Sequence, residues 1–169
     1  KRKHPDMQLV WLDAHLDMKE KVDNHVSHDV VVRELLKRGF TPEDIWLVGI
    51  TRVDDDEDAY KAIRAVFHSL RDRLTVEEAV DLGAQLPNPL RGVYYAGWKP
   101  AQCPVKLRTR EEFLDYVQEH LPDGSAVKPY AATRAVFQAL EDHVSEGEIE
   151  DVTSILTEEI RELWHEPAT

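Results

Sequence analysis

Ile63, Val66, Phe67, Leu70 and Leu74 follow one another at three- and four-residue steps, the spacing that lines one face of an α-helix. The same face returns at Val136, Phe137, Leu140 and Val144. A second stripe runs through Ala79, Leu82, Leu86, Leu90 and Val93 and returns at Ile149, Val152, Leu156, Ile160 and Leu163. Alternation with period two is absent from these segments, so the pattern predicts helices rather than strands.

The recurrence is a true register. Shifting the chain by seventy residues aligns 60–94 with 130–164 without a gap, and twelve of the thirty-five pairs are identical. Unrelated segments would share about two, so duplication explains the match. Breaks fall at matching places. Thr75 with Glu78, Ser145 with Glu148 and Thr109 with Glu112 each place a hydroxyl three residues before a carboxylate, which predicts capping boxes at three helix starts. Pro87 and Pro89 interrupt the second stripe and predict a break before a short third helix ending near Tyr94.

A lead-in helix is expected before each copy. Phe113, Leu114, Tyr116, Val117 and Leu121 supply it in the second. The matching segment 43–53 carries a conflict: Thr41 and Pro42 suit a helix start, whereas Ile45-Trp46-Leu47-Val48-Gly49-Ile50 is β-branched and apolar like a strand. Repeat context favours helix there. The fold expected is all-α: two tandem related helical repeats, 41–98 and 110–165, in one shared bundle. A linker at 99–109 joins them, and an extension at 1–40, helical with room for a short strand, precedes them.

Charge and composition then narrow the function. The 169 residues carry a net charge of −12, with 42% hydrophobic residues for a core. An acidic chain repels phosphate, and its one basic cluster is Lys1-Arg2-Lys3-His4, so nucleic-acid binding is not expected. The longest apolar runs have six residues, far short of a membrane span of about twenty. The single cysteine, Cys103, has no internal disulfide partner, and a cytoplasmic location is expected.

The first copy carries a pattern with a family look. Gly83-Ala84-Gln85-Leu86-Pro87, followed by Arg91-Gly92-Val93-Tyr94-Tyr95-Ala96-Gly97-Trp98, resembles the bacterial domain-of-unknown-function family 2267 (DUF 2267) over about 43–164. The resemblance implies a helical bacterial protein and brings no catalytic set with it. Copy two departs from the pattern, with Ile155-Leu156-Thr157 for Gln-Leu-Pro and a lone Trp164 for the aromatic tail.

The extension has its own chemistry. Asp13, His15, Asp17, Glu20, Asp23, His25, His28 and Asp29 crowd into a short stretch, and carboxylate with imidazole suits Mn, Fe or Zn. His25 and His28 would share a helix face. Leu9-Val10-Trp11-Leu12-Asp13-Ala14-His15-Leu16-Asp17 also resembles the Asp-Ala-His-x-Asp metal strand of the ureohydrolases, the arginase and agmatinase family. That resemblance would make Asp13, His15 and Asp17 ligands, but the family's Asp-x-Asp-x-x-Asp-Pro motif is missing.

Other polar groups read as structural. Arg64/Arg134, Glu78/Glu148, Asp81/Asp151 and Arg91/Arg161 recur in both copies, and ion pairs between packed helices are expected, Arg64 with Asp81 or Glu78 and likewise in copy two. Asp54 to Asp58 suits a helix start, where carboxylates meet the macrodipole. Tyr94, Tyr95 and Trp98 form a dense aromatic group, either the cap of the core or an exposed patch. The expected function is a non-catalytic protein-interaction or regulatory module, with no cofactor, whose partner is another protein or a second copy. The alternative is a metal-binding protein or metal-dependent hydrolase using Asp13, His15, Asp17, His25 and His28.

Overall fold

The computed structural model describes residues 9–13, 45–49 and 56–165. Two short strands, β1 (Leu9–Asp13) and β2 (Ile45–Gly49), pair in parallel with Leu9 opposite Ile45 and Asp13 opposite Gly49. Seven α-helices follow among the described residues: α1 (Asp56–Arg73), α2 (Val76–Gln85), α3 (Asn88–Tyr95), α4 (Arg110–His120), α5 (Pro129–His143), α6 (Glu146–Ser154) and α7 (Glu158–His165). The all-α character expected of the duplicated region is what forms. Copy one supplies α1, α2 and α3; copy two supplies α5, α6 and α7.

Among the described residues, copy one shows no counterpart of the lead-in helix α4. Within the segment expected to be helical at 43–53, Ile45–Gly49 instead form β2. Local composition decided this element: Ile45, Trp46 and Val48 favour extended backbone, and β1 offers a strand to pair with. The helix that opens copy one starts at Asp56, inside the acidic run, where negative charge meets the positive helix end.

One core spans both copies. Phe67 packs edge-on against Tyr94 with ring centres 5.8 Å apart, and Phe137 stacks on Trp164 at 3.9 Å. Tyr94 and Trp164 occupy equivalent positions, so one aromatic pair has been built twice. Phe113 of α4 lies 6.0 Å from Phe137. Leu70, Leu74, Leu82 and Leu86 of copy one join Leu140, Val152, Leu156 and Ile160 of copy two in the same buried cluster.

The helix starts depart from expectation in an informative way. Thr109 and Glu112 form a full capping box, and the Thr75 hydroxyl accepts from the Glu78 amide at 3.3 Å. Ser145 makes no such bond to its own helix. Its amide donates to Gln85 Oε1 at 3.0 Å, while Gln85 Nε2 donates to Ser145 Oγ at 3.0 Å and Glu148 Oε2 at 3.2 Å. The end of α2 thus caps the start of α6. Reciprocally, Arg73, just before α2, donates to the carbonyl of Ile155 just after α6, at 3.2 Å. The two second helices therefore run antiparallel along a seam between the copies.

That seam gathers acids. Burial first, then the charges of Asp151, Asp81 and Glu77, push the Glu78 carboxyl up from its ordinary value. Burial and then Asp81 do the same to Glu148, against the Gln85 hydrogen bond. A carboxyl raised on folding contributes stability below its unfolded pKa and loses it as pH rises through the folded value. At neutral pH the charged seam is a net cost. Glu148→Gln keeps an oxygen for Gln85 and removes one charge, and like-charge pairs cost a few tenths of a kcal/mol. Its melting temperature is expected to rise by about 1 °C at pH 7, a gain that calorimetry should find absent at pH 3.5.

Candidate functional site

The arginines show what the duplicated polar residues do. Arg91 donates through Nε to the Gly83 carbonyl at 2.8 Å and through Nη2 to Ala84 at 2.6 Å and Leu86 at 2.9 Å. Arg161 donates to the carbonyls of Thr153 and Leu156, both at 3.0 Å. Each binds the last carbonyls of the second helix in its copy, groups that helix geometry leaves without partners. Arg134, 3% exposed, donates through Nη1 to the carbonyls of Leu163 and Trp164 at the end of α7.

The expected Arg64–Asp81 or Arg64–Glu78 pair and its copy-two equivalent are therefore corrected. Arg64, Asp81 and Asp151 are exposed, Arg134 serves carbonyls, and Glu78, Asp81, Glu148 and Asp151 lie along the seam. In copy one the work of Arg134 falls to Arg71, which is buried and donates through Nη1 to the carbonyls of Tyr94 and Ala96. Arg71 stands seven residues after Arg64, about two turns further along the same face. The role was kept while the residue supplying it moved.

Arg71 also opens a polar hub. Its Nε donates to Asp72 Oδ1 at 2.8 Å, and the Tyr116 hydroxyl donates to Asp72 Oδ2 at 3.3 Å. The Cys103 thiol lies 3.9 Å from Asp72 Oδ1, and Trp98 Nε1 donates to Cys103 Sγ at 3.3 Å. The Val105 amide donates to the Asp72 carbonyl at 2.7 Å. The hub ties the segment after α3 to α1 and α4. Burial pushes the Cys103 thiol up, which keeps it protonated and weak as a nucleophile. Burial also lowers His68 to about 4, so its ring is neutral, with Nε2 held 2.9 Å from the Val93 carbonyl.

The hub fixes the aromatic tail. Tyr94 is fully buried, which corrects its place in an exposed patch: it belongs to the core. Tyr95 and Trp98 are half-buried, with ring centres 5.5 Å apart. The Tyr95 ring lies across α2, its hydroxyl donating to the Val80 carbonyl at 3.2 Å. Gly83 makes room for it, because a Cβ there would come within 2.1 Å of the Tyr95 hydroxyl. Beside Tyr95, Val76 and Val80 stand 39% and 45% exposed, and Ala84, also exposed, completes an i, i+4, i+8 strip.

Copy two carries no such strip. Glu146, Glu150 and Ser154 occupy the positions of Val76, Val80 and Ala84, and Thr153 and His165 those of Gly83 and Tyr95. Duplication began with one face, and only the first copy presents it as apolar. Identity between the copies marks neither this face nor the partners of Asp72.

Of the metal-binding candidates, Asp13 is the last residue of β1, while His15, Asp17, His25 and His28 lie outside the described residues. Among the described residues no group of three or more His, Cys, Asp or Glu side chains is arranged to hold a metal ion. No helix among the described residues is long and apolar enough to cross a membrane.

Comparison with known families gives two matches. The model of an uncharacterized conserved protein family, DUF2267, matches residues 50–163. The Arginase family model matches residues 1–82, the part holding the parallel pair β1 and β2. A search of curated proteins found no match.

Proposed function

This chain belongs to the DUF2267 family, and on that premise we propose that it is a non-catalytic interaction module, located in the cytoplasm, that binds a partner through the α2–α3 face of its first copy. The observation that carries the reading is the asymmetry of the duplication. Val76, Val80 and Ala84 form an outward apolar strip beside the half-buried Tyr95, where the second copy has Glu146, Glu150, Ser154 and His165. Val76 and Val80 are two of the three large apolar side chains exposed among the described residues, and contiguous exposed apolar surface marks binding sites. The polar groups nearby support the same reading, since Arg71 and Arg91 are occupied with helix-end carbonyls.

A photo-cross-linking amino acid placed at Val80 or at the equivalent Glu150 tests this in the cells that make the protein. A discrete adduct from position 80, absent from position 150 and weakened by Gly83→Ala, is the expected outcome. Equal labelling at both positions, or none, refutes the reading.

A second reading has its own support in the Arginase family match and in Asp13 standing at the carboxyl end of a parallel strand, where ligands of open parallel sheets bind. Stoichiometric Mn, Fe or Zn in tag-free protein, lost on Asp13→Ala and His15→Ala, would favour it.

A further inference from the structure

We infer that the partner of the α2 strip is a basic amphipathic helix of another protein, an inference that rests on the interaction face described above. Val76, Val80 and Ala84 span about 12 Å along α2. This straight ridge suits the i, i+3/i+4, i+7 anchors of a helix laid against it. The strip is bounded differently on its two sides. Towards α3 lie the half-buried Tyr95 and Trp98 rings, inclined 31° to each other with centres 5.5 Å apart, a partly aromatic floor backed by Arg71 over Trp98. One step further around α2 in the other direction stand Glu77 and Asp81, both exposed, with Glu78, Glu148 and Asp151 of the seam beyond them. Arg91, near the Ala84 end of the strip, is turned onto α2, donating through Nε and Nη2 to the carbonyls of Gly83, Ala84 and Leu86.

An apolar ridge edged by carboxylates selects a ligand with apolar anchors and Lys or Arg on one flank, because complementary charge raises the encounter rate and like charge suppresses wrong partners. A second copy of this chain brings −12 of its own and the same acidic rim, so self-association through this face sets like charges together. An anionic membrane surface is repelled for the same reason.

The test uses two synthetic 18-residue helices labelled with fluorescein. Both carry Leu at the anchor positions; one has Lys and Arg on the flanks, the other Glu at the same places. Binding to the full chain is read by anisotropy in 0.15 M salt. The basic helix is expected to bind and the acidic one not. Val80→Glu adds a negative charge, so bulk attraction alone predicts equal or tighter binding, whereas the strip predicts a loss of about tenfold or more. Glu77→Gln with Asp81→Asn is expected to weaken binding about three- to tenfold and flatten its salt dependence. Gly83→Ala displaces the Tyr95 ring at a helical position that accepts alanine, and is expected to weaken binding.

The outcomes separate the two claims. If the acidic helix binds equally well and Val80→Glu still abolishes it, the face stands and the basic partner falls. Basic-helix binding that ignores Val80→Glu and Gly83→Ala reflects net charge and overturns both. No binding by either helix overturns the basic partner, and the contrast between positions 80 and 150 in cross-linking then judges the face alone.

Discussion

Phe137→Ala is expected to destabilise the protein by about 3–5 kcal/mol, lowering the melting temperature by roughly 6–20 °C for a chain of this size. Phe137 is fully buried, stacked on Trp164 at 3.9 Å and 6.0 Å from Phe113. Truncation removes its contacts with both rings and leaves a cavity that three rigid helices cannot easily close. Phe67→Ala, at the equivalent position against Tyr94, should cost a similar amount. Denaturant titration of the two variants measures this directly. A cost below 1 kcal/mol at either position would show that the aromatic pair is not part of a packed core.

The second large effect separates two identical residues. Arg134→Ala is expected to cost about 2–4 kcal/mol, because it strands the buried carbonyls of Leu163 and Trp164. Arg64→Ala, at the same place in the repeat, should stay within about 0.5 kcal/mol as an exposed substitution. Arg71→Ala should behave like Arg134→Ala, since Arg71 serves the carbonyls of Tyr94 and Ala96 and holds Asp72. If the cost instead follows the alignment, with Arg64 and Arg134 alike and Arg71 silent, the assignment of these arginines is wrong.

These contrasts show where sequence was legible. The helical stripes were, because each buried position leaves an apolar residue at a fixed helical spacing, and duplication wrote the spacing twice. The segment 45–49 misled through the repeat itself. Its own β-branched residues described the strand, while the alignment with α4 argued for a helix. The arginines were misassigned for a different reason. A backbone carbonyl has no letter in the sequence, whereas the recurring acids Glu78/Glu148 and Asp81/Asp151 do, and the letters pair the arginines with them. The Asp72 hub joins Arg71, Trp98, Cys103 and Tyr116, residues brought together only by the packing of α1, α4 and the segment between the copies. The candidate face was visible as Val76 against Glu146 and Val80 against Glu150, a difference hidden by attention to identities.

The account rests on two copies folding as one cooperative body. Native-state hydrogen exchange with and without Phe137→Ala tests that most directly. The slowest amides of α1 and α5 should open with the same free energy, and the substitution in α5 should lower both by the same amount. Protection of α1 left unchanged while that of α5 falls would mean two independent units, and the shared core would have to be abandoned.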